Sequence, residues 1–147
     1  MRGFTLFEIL IALAIVLLLA VLAVAAFSDF RQNSLLKEAR AKVLSELSLA
    51  RTQTLGAEGK SSWGVHFEET RLVRFKGSSY SAVDPSNLEI LLPVGARIGL
   101  ISLGGASEVV FERLTGRTAS VGTIRLELTS DALASTTITI YASGLAE

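Results

Sequence analysis

From Ile9 to Phe27 the chain runs through 19 residues without a charge, proline, glycine, asparagine or glutamine. In lipid a backbone must satisfy its own hydrogen bonds, and a helix does so within one segment. At about 1.5 Å of rise per residue such a helix covers roughly 28 Å, close to the ~30 Å hydrocarbon thickness of a bilayer. The run is therefore predicted to cross a membrane once. Any globular part must fold from the residues after Phe27.

Glu8 does not fit an ordinary anchor. It lies inside the apolar register, after Phe4, Leu6 and Phe7. An acid placed near the bilayer costs about 2.5 kcal/mol or more, so it normally has a partner and a task. One reading leaves it at the interface, favoured by the positive end of the helix dipole. The other pairs it with a cation: Arg2 is nearest in sequence, but a free amine at Phe4, made by cutting after Gly3, would be better placed on a neighbouring chain.

The first eight residues, Met-Arg-Gly-Phe-Thr-Leu-Phe-Glu, resemble the leader and cleavage site of type IV pilins and type II secretion pseudopilins. The resemblance implies that residues 1–3 are a prepilin leader and that a membrane peptidase cuts between Gly3 and Phe4. It further implies N-methylation at Phe4 and an assembly role for Glu8, which would pair with the N-terminus of a subunit already in the filament. Members of that family often carry proline or glycine in the middle of the apolar half. Leu17 to Ala25 has neither, which implies a straighter helix here.

The 147 residues leave room for one domain beyond the anchor. Fourteen basic and fourteen acidic residues balance, and loss of Arg2 with the leader leaves 13 against 14. Neither count builds an electrostatic clamp for nucleic acid. There is no cysteine, hence no disulfide and no trace of the redox compartment. The apolar run exceeds the core of a secretory signal, and although Ala23 to Ala26 are small, no cleavage motif ends it decisively. Arg2 on the leading side favours a cytoplasmic N-terminus, with the rest of the chain on the far side of the inner membrane.

Helix character continues beyond the run. Asp29 to about Leu55 holds no proline or glycine, and Leu36, Ala39, Val43, Leu47, Ala50 and Thr54 recur at spacings of three and four. Residues 28–58 are thus an amphipathic continuation of the 4–27 helix, ended by Gly56 and Gly59, and the whole rod would measure roughly 78 Å. Lys37, Arg40, Glu46 and Arg51 fall off the stripe and are expected to face water. Glu38 with Lys42 and Lys42 with Glu46 have the spacing of helix-surface ion pairs.

From residue 59 to 147 the pattern is one of strands. Trp63–Phe67 and Arg71–Phe75 read as a hairpin around Glu68, Glu69 and Thr70. A polar loop covers Gly77 to Asn87, and Leu88–Leu92 is a short strand stopped by Pro93. Arg97–Leu103, Glu108–Glu112, Thr123–Leu128 and Thr136–Tyr141 come next as strands. The expected fold is α+β and pilin-like: a long N-terminal helix, its first half transmembrane, with the second half packed on antiparallel β-sheets. Leu92-Pro-Val-Gly, Val-Phe-Glu-Arg-Leu-Thr-Gly-Arg, Thr-Ile-Arg-Leu-Glu-Leu and Ile-Thr-Ile-Tyr-Ala-Ser-Gly resemble the C-terminal half of the H-type minor pseudopilins and their minor-pilin relatives.

Enzymatic chemistry finds little to work with. The sole histidine, His66, lies in a strand near Trp63 and Phe67, with neither cysteine nor a second histidine at ligand spacing. Glu68 and Glu69 occupy a turn, where solvated carboxylates are ordinary. Asp84, Ser86 and Asn87 lack the spacing and closing glutamate of a calcium loop. Arg71, Arg74 and Lys76 share a strand, and Arg113 and Arg117 flank a turn, but glutamates 68, 69, 108 and 112 are interleaved with them. The C-terminal stretch Ala142 to Glu147, where DNA-binding relatives are basic, has no arginine. No enzyme, metal or cofactor is expected. The resemblance implies a minor pseudopilin or minor pilin, a structural subunit that helps initiate or tip a secretion pseudopilus or a type IV pilus. Its partners would be the prepilin peptidase, the membrane and other pilins or pseudopilins. The alternative is a DNA-binding minor pilin of a competence pilus.

Overall fold

The computed structural model describes residues 5–56 and 58–147, leaving aside the side chains of residues 23–29 and 58. The chain is α+β. Helix α1 runs from Leu6 to Leu55, 50 residues in all, through a stretch free of glycine and proline. It stops where Gly56 donates its N–H back to the Thr52 carbonyl at 2.9 Å. A short 3-10 turn, Glu58–Lys60, comes after it, with Gly59 at a φ of 63°.

Two compact units divide the chain, Met1–Ser34 and Leu35–Glu147. In the first, the described residues are helix alone, and every described side chain from Thr5 to Leu22 is exposed. Among the described residues no helix is long and apolar enough to cross a membrane. The run that begins at Ile9 extends to Phe27, and its last part lies among the side chains left aside.

The second unit holds the core. Leu36, Ala39, Val43, Leu47, Ala50 and Thr54 are all buried, so the stripe at three- and four-residue spacing is the face that packs. Strands β1 (Trp63–Phe67), β2 (Arg71–Lys76), β3 (Leu88–Leu91) and β5 (Glu108–Val110) form a sheet in the order β3-β2-β1-β5. Strands β4 (Ala96–Ser102), β6 (Gly122–Leu128) and β7 (Ser135–Ile140) form a second sheet in the order β4-β6-β7. All pairings are antiparallel. Val65, Phe67, Leu72 and Val109 from the first sheet share one core with Ile98, Ile124, Leu126 and Ile138 from the second and with the helix stripe. Each such side chain contributes about 1.5–3 kcal/mol by leaving water.

Polar side chains tie the helix to this core. The Thr54 hydroxyl donates to the Ala50 carbonyl at 2.9 Å and accepts the Trp63 N–H at 2.9 Å, which fixes where β1 starts. Two helix residues expected in water are drawn inward instead. Glu46 pairs with Arg74 across the helix–sheet seam, the side chains being 15% and 11% exposed. It therefore turns from Lys42 to a residue that only the fold brings near. Arg51 donates from Nε to the Gly116 carbonyl at 3.1 Å and from its terminal nitrogen to the Ser143 carbonyl at 3.4 Å. That clamp leaves no room at Gly144, whose φ is 79° and where a Cβ would lie 1.9 Å from the Gly116 oxygen.

Candidate functional site

Gly3 and Phe4, between which processing is expected, lie outside the described residues, as does Arg2. Glu8 is described: it is the acid of the first turn of α1, and its N–H is accepted by the Thr5 hydroxyl at 3.2 Å. Thr5 is thus the N-cap, and Thr-x-x-Glu is the spacing of a capping box. The pattern was present in the sequence, and the Thr5 hydroxyl is the group that starts the helix. Glu8 also sits where the helix dipole favours a negative charge. Its side chain is exposed, with no cation paired to it among the described residues.

From Ile9 to Leu22 the helix is apolar on every side, and all of those side chains are exposed. Leu10, Val16, Leu18 and Leu19 are each more than half exposed, on different faces. Around Ala14 the surface dips, because the small side chain sits among Leu17, Leu18, Val21 and Leu22. A dip of that kind lets a second helix approach closely. Ala12 and Ala20 are further small residues on the described part; Ala23 and Ala26 fall among the side chains left aside.

In the globular unit Arg71, Arg74, Arg97 and Arg125 pair with glutamates of the same chain. Arg71 grips Glu68 with two bonds, 2.6 and 3.1 Å, and reaches Glu89 at 2.8 Å. That guanidinium holds the Glu68 carboxyl below its ordinary range, against a smaller opposing effect of burial. Arg97 meets Glu69 at 3.1 Å and Glu127 at 2.7 Å, and Arg125 meets Glu127 at 3.3 Å. Glu127 is only 4% exposed although it points to the outer face of its sheet. Space for its carboxylate comes from Gly99, at the slip in β4 between Ile98 and Leu100, where a Cβ would lie 2.2 Å away. A cleft of about 400 Å³ opens here, lined by Glu68, Glu69, Arg97 and Glu127. Each of those four side chains already has an ion-pair partner within the chain.

The remaining sequence candidates have structural partners. His66 stacks on Tyr80 with centroids 4.0 Å apart, rather than resting on Trp63 or Phe67. Tyr80 donates its N–H to Glu108 at 3.2 Å and sets its ring edge-on to Phe75, pinning the polar 77–87 loop over the outer face of β1 and β2. Asp84 accepts the Ser86 N–H at 2.8 Å and the Ser86 hydroxyl at 2.6 Å, and Asn87 donates to the Ser81 carbonyl at 2.7 Å. The loop thereby orders itself through its own side chains. Among the described residues no His, Cys, Asp or Glu group could hold a metal ion.

Arg71, Arg74 and Lys76 do not make one basic surface. Residues opposite one another across the ladder share a face, and Arg74 opposes core-facing Val65 while Arg71 lies on the other side. Arg113 and Arg117 remain exposed beside the turn at Gly116. The C-terminal residues fold back along β7: Thr139 and Glu147 exchange backbone bonds of 2.7 and 3.0 Å, and the Tyr141 hydroxyl donates to the Glu147 carboxylate.

No protein-family model, no curated protein and no solved structure matches the chain.

Proposed function

We propose that this chain is a minor pseudopilin or minor pilin: a pilin-like, single-pass subunit of the inner membrane, with its N-terminus in the cytoplasm and its β-rich domain outside. The observation that carries the reading is the contrast within one helix. From Leu36 onward α1 buries a single stripe in its own domain, whereas from Leu6 to Leu22 it is apolar all round and its described side chains are uncovered. A helix of the second kind needs lipid or other helices around it. Helix packing would be its work, and Glu8, the one charge in that half, would be the assembly contact, pairing with the amine of Phe4 on an adjacent subunit. The subunit would help initiate or tip the filament.

The globular unit supports a structural role over a DNA receptor. Its arginines at 71, 74, 97 and 125 are held by glutamates of the same chain, and the C-terminal hook ends in an acid. Pairing of this kind takes those four arginines away from phosphates, although Arg113 and Arg117 stay exposed. Mass spectrometry of the protein from membranes of its native host tests the reading: the chain is expected to begin at N-methylated Phe4. An intact Met1, or a first residue near Ala26, contradicts it.

A further inference from the structure

The edges of the two sheets are not treated alike. On β4 the outward N–H of Ala96 is taken by the Pro93 carbonyl at 3.0 Å and that of Ile98 by the Glu69 carbonyl at 2.8 Å. On β7 the second half is covered by the chain's own C-terminal residues, through Thr139 and Tyr141, and the first half shows only Ser135 and Thr137. On β5 the backbone of Glu108 and Val110 also faces outward, since Ser107 and Phe111 bond to β1, but that strand is only three residues long and its Glu108 side chain takes the Tyr80 N–H.

The fourth edge, β3, is open. In an antiparallel ladder alternate residues bond to opposite sides. Glu68 N–H meets the Arg71 carbonyl at 3.0 Å, so the odd residues of β2 face β1, and Leu92 N–H meets the Thr70 carbonyl at 3.0 Å, so the even residues of β3 face β2. The N–H and C=O of Glu89 and Leu91 therefore point away from the sheet. Leu88 and Leu91 stand beside them, 48% and 66% exposed. Lysine, proline and bulges, frequent guards of such an edge, are missing from β3, which is protected only by its four-residue length and one acid. Its one charge, Glu89, is drawn onto Arg71 at 2.8 Å.

We infer that the free edge of β3 receives an extended strand from a different subunit of the same assembly, carrying a basic residue opposite Glu89 and apolar residues beside Leu88 and Leu91. The charge balance specifies the visitor: Glu68 and Glu89 share the single guanidinium of Arg71, so a lysine or arginine across the edge completes the set. A second copy of this chain supplies no such base from β3. A two-fold pairing that keeps the faces matched sets Glu89 against Glu89, or Ile90 against Ile90 with Glu89 opposite Leu91. Four residues make a weak contact on their own, and anchoring both chains in one membrane raises their effective concentration enough to matter. The inference thus rests on the chain being an assembling membrane subunit.

A photo-crosslinking amino acid placed at Glu89 or at Leu91, one at a time, in the full-length chain in membranes of its native host tests this, with Thr137 as the control position. Crosslinks from the two sites are expected on one segment of one partner subunit, at residues about two apart, next to a lysine or arginine. Glu89→Pro and Leu91→Pro remove outward N–H groups and leave the bonds of the β2–β3 ladder whole, Glu89→Pro also taking from Arg71 one of its two acids. Each is expected to cut the crosslink from the other position at least about tenfold while the melting temperature stays within a few degrees. Leu91→Lys, which adds an edge guard without touching the backbone, serves the same purpose should a proline variant unfold. Crosslinks without the two-residue phase, crosslinks to a second copy, or undiminished yields in these variants overturn the inference. If partner subunits co-purify with the wild-type chain and the edge stays uncrosslinked, only this inference falls. If Phe4 is unprocessed and no subunit co-purifies, the proposed function falls with it.

Discussion

Glu127 sits on the outward side of β6, between Arg97 and Arg125, in space that exists because residue 99 has no side chain. Gly99→Ala would force the carboxylate off both arginines, and overpacking of this size costs about 1–3 kcal/mol. Urea unfolding should show the midpoint falling without a change in slope. At the helix–sheet seam, Glu46→Ala strands Arg74 in a place where it is 9% exposed. Loss of a charged hydrogen-bond partner there costs about 1.5–3 kcal/mol. The double variant Glu46→Leu, Arg74→Met should recover most of that loss, because two apolar side chains leave no charge unpaired. Acid should act through Glu68, whose carboxyl is held below its ordinary 4.5 chiefly by the Arg71 hydrogen bonds. A lowered value in the fold means the stabilisation is whole above the unfolded pKa and fades as pH falls through the folded one. Asp84, lowered by the hydroxyl and amide of Ser86, acts in the same sense. The urea midpoint should therefore decline below about pH 4.5, and Arg71→Leu should flatten that decline.

At the scale of elements, periodicity made most of the fold legible. The three- and four-residue spacing of Leu36 to Thr54 marks the buried face of α1, and the turn residues mark the ends of the strands. How the strands group was not legible, since β5 pairs with β1 across more than forty residues and nothing local in Glu108–Val110 says so. Glu46 looked solvated for the same reason: its partner is 28 residues away, in a strand. The slip at Gly99 and the seating of Tyr80 likewise depend on neighbours distant in sequence. The capping pattern Thr5-x-x-Glu8 was readable and has a plain physical meaning. Because the stripe, both sheets and the Arg51 clamp all belong to Leu35–Glu147, a chain starting at residue 28 should fold alone. Near-UV circular dichroism should show fixed aromatic packing in it, and a molten spectrum would mean that the core needs the first half of the helix.

The whole molecule joins an apolar helical half, whose described side chains from Ile9 to Leu22 are exposed, to a domain in which Arg71, Arg74, Arg97 and Arg125 pair with glutamates of the same chain. In the proposed function assembly belongs to the apolar half, and Glu8 is the charge that would set its register against a neighbour. If Glu8 serves only to cap the helix and sit at the interface, Glu8→Leu should change no association with other subunits. If it meets the Phe4 amine of an adjacent subunit, its removal leaves that ammonium buried and unpaired. Truncating one member of such a pair costs about 3–5 kcal/mol, which is a hundredfold or more in association. The decisive measurement is recovery of partner subunits with wild-type and Glu8→Leu protein from crosslinked membranes, with insertion and the mass of the N-terminus checked in both. The expected result is a leucine variant that inserts, is cut after Gly3 and loses its partners; equal recovery by the two proteins contradicts the account.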